Sequence, residues 1–419
     1  MTKIMILAGG HDQAAFIEEL RKEIPDAYII VLDMNPNVLA AAVADKFLPI
    51  STMDIERVKQ AAIEEQVDYV MTACGDQPIL TMGIVSEELH LPCYLTKQQV
   101  LNLTNKKNMK RIMVENGIPT AKHKSFTSLD EIDDSGLVYP LIIKPADSNG
   151  SKGVAKVYNF SEVLENAPAA FKFSISDTVI LEEFNEGEEI SCDFYILNGK
   201  AIEIQKCQSN KFKASENITS IIYQSILPPP FLTANARAKL NQIAQNIIAP
   251  YGLENTPLHL QAIVNGDDVR VLEFSARIGG GAKYLTIQNS TNFNMLHACT
   301  LSMLGKVPTI PNIDNTSKRF SRCHLYTIGG VFTRIEGVET LLSKGVIEEF
   351  IPTKPFGVEC HKASSSGDRI GSIWISADNY SELNNKIVEA INTIKVINEH
   401  GIDILDRRMY ASQTPYQEH

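Results

Sequence analysis

No two cysteines are spaced as CxxC; the seven stand at 74, 93, 192, 207, 299, 323 and 360. Scattered thiols fit a reducing compartment rather than a disulfide framework, so a cytoplasmic address is expected. Long apolar runs are missing too. The longest, around Val38 to Ala44, stops at Asp45, well short of the ~18 residues that span a bilayer, and no membrane role is expected. The opening Met1 to Gly10 turns into Gly-Gly-His-Asp instead of a cleavage site and reads as a buried strand, not a signal peptide. Positive charge is in deficit, with 39 Lys and Arg against 50 Asp and Glu for a net charge of -11. Such a field repels polyanions, so no nucleic-acid partner is expected, while a small nucleotide stays possible. G-x-G-x-x-G, the Walker A loop, G-x-S-x-G and internal repeats are all absent.

What is present is a chain of 419 residues, 44% hydrophobic and 21% charged, enough for two to four folded domains at ~150 residues each. Short β-branched runs alternate with helical stretches from Lys3 to about Leu103: Ile4 to Leu7, Gln13 to Ile24, Tyr28 to Leu32, Ile55 to Glu65 and Tyr69 to Ala73. That alternation predicts a parallel sheet. Gly9-Gly10 after the first strand and Asp33 after the second read as a tight strand-to-helix turn needing small residues rather than a dinucleotide site. A helix from Lys106 to Glu115 stops at Asn116-Gly117-Ile118-Pro119, which marks a seam. Beyond it come strand-rich stretches at Val138 to Tyr158 and Thr178 to Gln205, a helix near Ala234 to Ile248, a hairpin from Leu258 to Phe274 and one helix running to about Leu304. A tail follows with a strand at Ile370 to Ile375 and a helix from Tyr380 to Asn398. The fold class is α/β and α+β.

Two segments carry chemistry. In Leu141 to Val157, two apolar strands flank a Gly/Ser-rich loop containing Ser148, Gly150, Ser151 and Gly153. Its backbone N–H groups could wrap an anion while Lys144 and Lys152 supply charge. An ordinary flexible turn has the same composition. In the hairpin, alternation puts His259 and Gln261 on one face of the first strand, and Glu273, Ser275 and Arg277 on one face of the second. A five-residue loop, Asn265 to Val269, sets Gln261 opposite Glu273 and sends Leu260, Leu272 and Phe274 to the core. Clustered carboxylate and amide oxygens suit a hard cation shared with phosphates. A solvated face with a Glu273–Arg277 ion pair is the plainer alternative, and His259 is expected to be a packed, satisfied histidine.

By the order and spacing of these segments the chain resembles the ATP-grasp ligases, in the branch holding biotin carboxylase, carbamoyl-phosphate synthetase halves, purine-pathway ligases and L-amino-acid ligases. The resemblance implies a Rossmann-like domain over 1–103, an ATP-grasp domain over 104–317 with a mobile lid at about 121–186, and a biotin-carboxylase-like C-terminal domain over 318–419. It implies phosphate-binding lysines at Lys106 and Lys144, and a lid that closes around Gly150. A hinge at Leu181 to Glu189 would set Glu182, Glu183, Phe184 and Asn185 at the adenine and Glu189 at the ribose. Lys206, in the basic stretch Gln205 to Lys211, is a further nucleotide candidate. Gln261 and Glu273 are implied metal ligands. Ser275 stands where many relatives carry Asn, which leaves open whether one or two Mg²⁺ bind. The implied cofactors are ATP and Mg²⁺, with Mn²⁺ as a substitute. Arg277 is the implied catalytic arginine beside Lys144, and Arg277, Gly280 and Gly281 would meet substrate.

The implied reaction forms an amide from a small-molecule carboxylate, best matched to an amino acid, and an amine, through an acyl phosphate. A purine-pathway ligase and a catalytically silent nucleotide-binding subunit are the alternatives; lost site lysines, Glu273 or Arg277 would favour the latter, and all are present. A homodimer is the expected assembly.

Overall fold

The computed structural model describes residues 1–148, 152–213, 220–313, 317–411 and 415–417. Apolar runs such as Lys3–Leu7 and Tyr28–Leu32, buried along nearly their whole length, form the centre of a parallel sheet ordered Lys46–Leu48, Tyr28–Leu32, Lys3–Leu7, Tyr69–Met71. Burial on both faces is what a βα layer requires. Gly9 is needed for packing: a Cβ there would lie 2.2 Å from Val38 Cγ2. Its N–H donates to Asp33 Oδ2 at 2.9 Å, so Asp33 at the end of the second strand ties down the turn after the first.

A four-stranded antiparallel sheet follows, ordered His123–Phe126, Val179–Glu183, Leu141–Pro145, Ala155–Val157, with the helix Phe160–Lys172 packed on it around its own apolar cluster. The largest sheet has eight strands in the order Asp268–Ser275, Thr256–Asn265, Glu188–Leu197, Lys200–Lys213, Ser220–Leu227, Arg319–Leu325, Gly371–Ala377, Glu349–Pro352. It runs unbroken from the hairpin into the C-terminal region. The helix Ala234–Tyr251 covers one face through Ile243, Ala244 and Ile247; the helix Lys283–Thr291 lies on the other, where Lys283 and Ser290 reach the strands.

Several expected boundaries move. The single helix after the glycine run is two, Lys283–Thr291 and Met295–Met303, because Asn292 adopts a left-handed φ of 56° and Asn294 caps the second. The helix from Tyr380 ends at Thr393; Lys395–Ile397 is a strand paired with Arg334–Glu336. The hairpin turns through Gly266 and Asp267 alone, Asn265 pairing with Asp268. A bulge between Gln261 and Ala262 takes up the difference, so Gln261 still faces Glu273. The same bulge turns Leu272 out of the core and into a cleft.

Candidate functional site

The cleft, about 1160 Å³, opens between the four-stranded sheet, the polar face of the large sheet and the first residues of two helices. Asn105 caps the helix Lys106–Glu115 by accepting from the N–H groups of Lys107 and Asn108, and Lys106 N donates to Ala146 O at 2.7 Å. The helix start is thereby pinned to the end of the strand that carries Lys144. Lys106 Nζ lies 3.0 Å from Ser148 O and 3.4 Å from Glu273 Oε2.

Below it is a buried charge cluster. Glu182 accepts from Lys144 Nζ through Oε1, and its Oε2 lies 2.7 Å from Lys110 Nζ. Burial alone would raise the Glu182 carboxyl; the two ammoniums outweigh it and hold the group down at about 2. Burial pushes Lys144 downward from its ordinary value. No motif in the sequence marks Lys110. It stands one turn after Lys106, at the spacing that puts both on one helix face.

At the opposite end, Arg277 makes a two-point contact with Asp76, Nε to Oδ1 at 3.0 Å and Nη2 to Oδ2 at 2.7 Å, while Nη1 donates to Ile278 O at 3.1 Å. Asp76 is the first residue of a helix of the N-terminal sheet layer, Asp76–Glu88. Burial raises and Arg277 lowers its carboxyl, to a net of about 2. The Glu273–Arg277 pair considered from sequence is therefore not the arrangement: Glu273 answers chiefly to Lys106, which lowers its carboxyl, and Arg277 answers to Asp76.

Glu182, Glu183, Phe184, Asn185, Glu189, Gln261, Glu273 and Arg277 all line the cleft with Lys106, Lys144 and Ser148. Glu189 lies 2.5 Å from Lys211 Nζ and accepts from Gln261 Nε2 at 3.2 Å. Lys156 Nζ sits 3.4 Å over the Phe184 ring; Lys211 is a further cleft cation that residue spacing does not single out. Gly153 has φ +71° and packs close to Phe173 and Pro145, leaving Val154 to line the cleft. Gly150 and Ser151 lie outside the described residues. Gly280 and Gly281 stand beyond Arg277, outside the cleft lining, with Gly281 N donating to Asp12 Oδ2 at 3.1 Å. Ser275 is buried beneath, sharing a narrow space with Asp76 and Arg277.

Lys206 is placed elsewhere. Its Nζ lies 2.5 Å from Glu203 Oε2, donates to Asn241 Oδ1 at 2.6 Å and sits over the Phe194 ring. It belongs to the packing under the helix Ala234–Tyr251, on the side away from the nucleotide candidates. His259 is satisfied by Asp193 at 2.8 Å, and Asp193 lies 3.4 Å from Lys283 Nζ.

Among the described residues no three His, Cys, Asp or Glu side chains gather as a metal cage. Glu273 and Gln261 are cross-strand partners and so share one face of the sheet, with cationic side chains around them. That donor set fits Mg²⁺, which takes one or two protein oxygens and completes its shell with phosphates and water.

Comparison with known proteins bears on the family and the fold. Residues 137–284 match the family described as ATP-grasp domain, and residues 324–399 match L-amino acid ligase C-terminal domain 2. The trifunctional purine biosynthetic protein adenosine-3 of Drosophila melanogaster is 25% identical over 273 residues, 61% of this chain but 20% of that protein; the chain thus spans about a fifth of that relative's length. Phosphoribosylamine–glycine ligase of Lactococcus lactis is 21% identical across 96% of this chain and 92% of its own length. The L-amino acid ligase of Bacillus licheniformis superposes with a TM-score of 0.75 at 19% identity, covering 95% of this chain and 99% of that one. No helix among the described residues is long and apolar enough to cross a membrane.

Proposed function

For a chain that carries an ATP-grasp domain followed by the second C-terminal domain of L-amino acid ligases, we propose ATP-dependent condensation of a small carboxylate, an amino acid or close analogue, with an amine. The balanced reaction has two displacements. A carboxylate oxygen attacks the γ-phosphorus of ATP and ADP leaves; the amine nitrogen then attacks the acyl carbon, phosphate leaves, and the amine's excess protons pass to solvent.

Phosphoryl transfer is won by positioning and charge neutralisation. Lys106 and Lys144 converge from a helix start and a strand onto one end of the cleft, where they would hold the β- and γ-phosphates. The hinge residues Glu183 to Asn185 edge the same space and would meet the adenine, with Glu189 near the ribose. Mg²⁺, when bound by Glu273 and Gln261, supplies Lewis-acid neutralisation of the phosphate oxygens. Arg277, locked by Asp76 on one edge of its guanidinium, retains N–H groups on the other to stabilise the migrating phosphoryl group or the acyl-phosphate oxygen. A homodimer completes the proposal.

The observation that carries this reading is the convergence of Lys106, Lys144, Gln261, Glu273 and Arg277 on one cleft from segments far apart in sequence. The C-terminal domain match favours an amino-acid ligase over a purine-pathway enzyme. A phosphate-release screen crossing amino acids and other carboxylates with amines, with Glu273→Ala as the blank, tests it. Release that requires both a carboxylate and an amine supports the reading; ATP-independent behaviour across the screen and no Mg-ATP binding refutes it.

A further inference from the structure

Along the strand Thr256–Asn265, alternate side chains share one face in the order Ile263, Gln261, His259, about 7 Å apart. Ile263 lines the cleft beside the hinge residues, and Gln261 is the cross-strand partner of Glu273. His259 stands one step further, paired across the strands with Ser275, and borders the narrow space that also holds Asp76 and Arg277. If the strand runs from the adenine to the metal, its next position lies past the γ-phosphate, where the acyl group would be.

The ring is held as a proton acceptor needs to be. Asp193 is its partner on the neighbouring strand and is 2% exposed; Asp193 Oδ1 lies 2.8 Å from His259 Nδ1. The other oxygen, Oδ2, accepts from Gln205 Nε2 at 2.9 Å and lies 3.4 Å from Lys283 Nζ. Burial alone would raise the Asp193 carboxyl; Lys283 and His259 outweigh it and hold the group below its ordinary value. An ionised carboxylate only accepts, so Nδ1 carries the proton and Nε2 keeps its lone pair. Nε2 has no hydrogen-bond partner among the described residues. Gly279 makes room for the ring: a Cβ there would lie 2.9 Å from His259 Cε1 and 3.1 Å from Nδ1. Because Cε1 is bonded to both nitrogens, Nε2 lies at the edge of the glycine loop that follows Arg277. The charged groups around the ring are Asp193 and Lys283 on one side, and Asp76, Lys106, Glu273 and Arg277 around the narrow space.

We propose that His259 is the general base of the amide-forming step, with Asp193 as its positioning residue. At neutral pH an amine arrives as an ammonium, whose nitrogen has no lone pair with which to attack. His259 Nε2 takes one proton and leaves the neutral amine, while Asp193 stabilises the imidazolium. The N–C bond then forms as the acyl C–O bond to phosphate breaks. The second excess proton leaves with the phosphate, and Nε2 returns its own to water. The inference rests on the ligase reading, since it assigns a residue to that reaction's second displacement.

The test separates the two displacements. The full chain with Mg-ATP is offered amino acids crossed as carboxylate and amine, and in a parallel series hydroxylamine replaces the amine and traps the acyl phosphate as a hydroxamate. His259→Asn keeps in Nδ2 a donor for Asp193 but has no basic nitrogen. Its amide formation at pH 7 should fall about 100-fold or more, as when a positioned base is lost, while hydroxamate formation, whose nucleophile is already unprotonated, stays within about threefold of wild type. Raising the pH should recover the variant's amide rate by about tenfold per unit until the amine itself loses its proton, which a merely structural defect would not produce. Asp193→Asn should show the same selective loss to a smaller degree. If His259→Asn does not fold, His259→Gln is read in the same way. Amide and hydroxamate rates that fall together, an amide rate that does not fall, or a loss that ignores pH overturns the proposal. A wild type that forms no amide with any pair refutes the ligase reading, and this proposal with it.

Discussion

Replacing Glu182 by Gln should unfold the protein early and blunt its response to acid. The carboxylate is 4% exposed and contacts both Lys110 and Lys144. At about 1.4 kcal/mol per pH unit, a fall from the ordinary 4.5 to about 2 amounts to about 3 kcal/mol. That agrees with the ~3–5 kcal/mol lost when one partner of a buried pair is removed. The sign follows from the folded value being the lower one. The contribution is complete above pH ~4.5 and disappears as pH falls through about 2. Glu182→Gln should therefore lower the melting temperature at pH 7 by about 6 °C or more, at ~2–4 °C per kcal/mol for a unit of ~200 residues. Between pH 4.5 and 2 the variant's stability should also fall less steeply than that of wild type. Lys110→Met should cost less, because Lys144 still pairs with Glu182. Scanning calorimetry across that pH range reads all three. A Glu182→Gln melt within ~1 °C of wild type at pH 7, with an unchanged acid slope, would mean the cluster contributes nothing to stability and the pairing argument is wrong.

Arg277→Ala should reduce turnover by about 3 kcal/mol of transition-state stabilisation, and Arg277→Lys should not restore it, since an ammonium cannot make the two-point contact to Asp76; phosphate-release kinetics measure both. Asp76→Asn should lower turnover more than it weakens Mg-ATP binding, because Asp76 touches Arg277 and no nucleotide lysine; calorimetric titration beside kinetics separates the two. Lys206→Met should leave Mg-ATP affinity unchanged within twofold, about 0.4 kcal/mol, and a clear loss would return Lys206 to the nucleotide site. Gly9→Ala should destabilise the fold by ~1–3 kcal/mol through the clash with Val38, without altering nucleotide affinity, which urea unfolding and titration check.

How much of this was legible in the sequence depended on the range of the interaction. Asn105 before Lys106 is a local cap, and the structure places Lys106 at the helix start because the preceding side chain occupies the first free N–H groups. Gln261 faces Glu273 although the turn was expected to be longer. The two-residue turn and the bulge compensate one another, and the bulge alone decides that Leu272 joins the cleft. Lys206 misled because a basic stretch gives no indication of which sheet face each side chain takes, and here Glu203 and Asn241 draw it under a helix. The helix from Tyr380 reads too long in the sequence because Ile394, Val396 and Ile397 are apolar in either conformation; pairing with Arg334–Glu336 selects the strand.

The contact that matters most for the proposed chemistry was the least accessible. Asp76 and Arg277 are 201 residues apart, and nothing in the sequence around Asp76 marks it as the partner of Arg277. Arg277 by itself could have paired with Glu273, four positions earlier, and a guanidinium tied to that carboxylate would take from the cleft the oxygen suited to a cation. Asp76 instead engages one edge of the guanidinium from another layer of the fold, which leaves Glu273 to face Gln261 and Lys106. The N-terminal sheet thus acts on the site through charge placement. A chain shortened to begin at Lys106 would keep the phosphate lysines, yet its Arg277 would be free to turn onto Glu273.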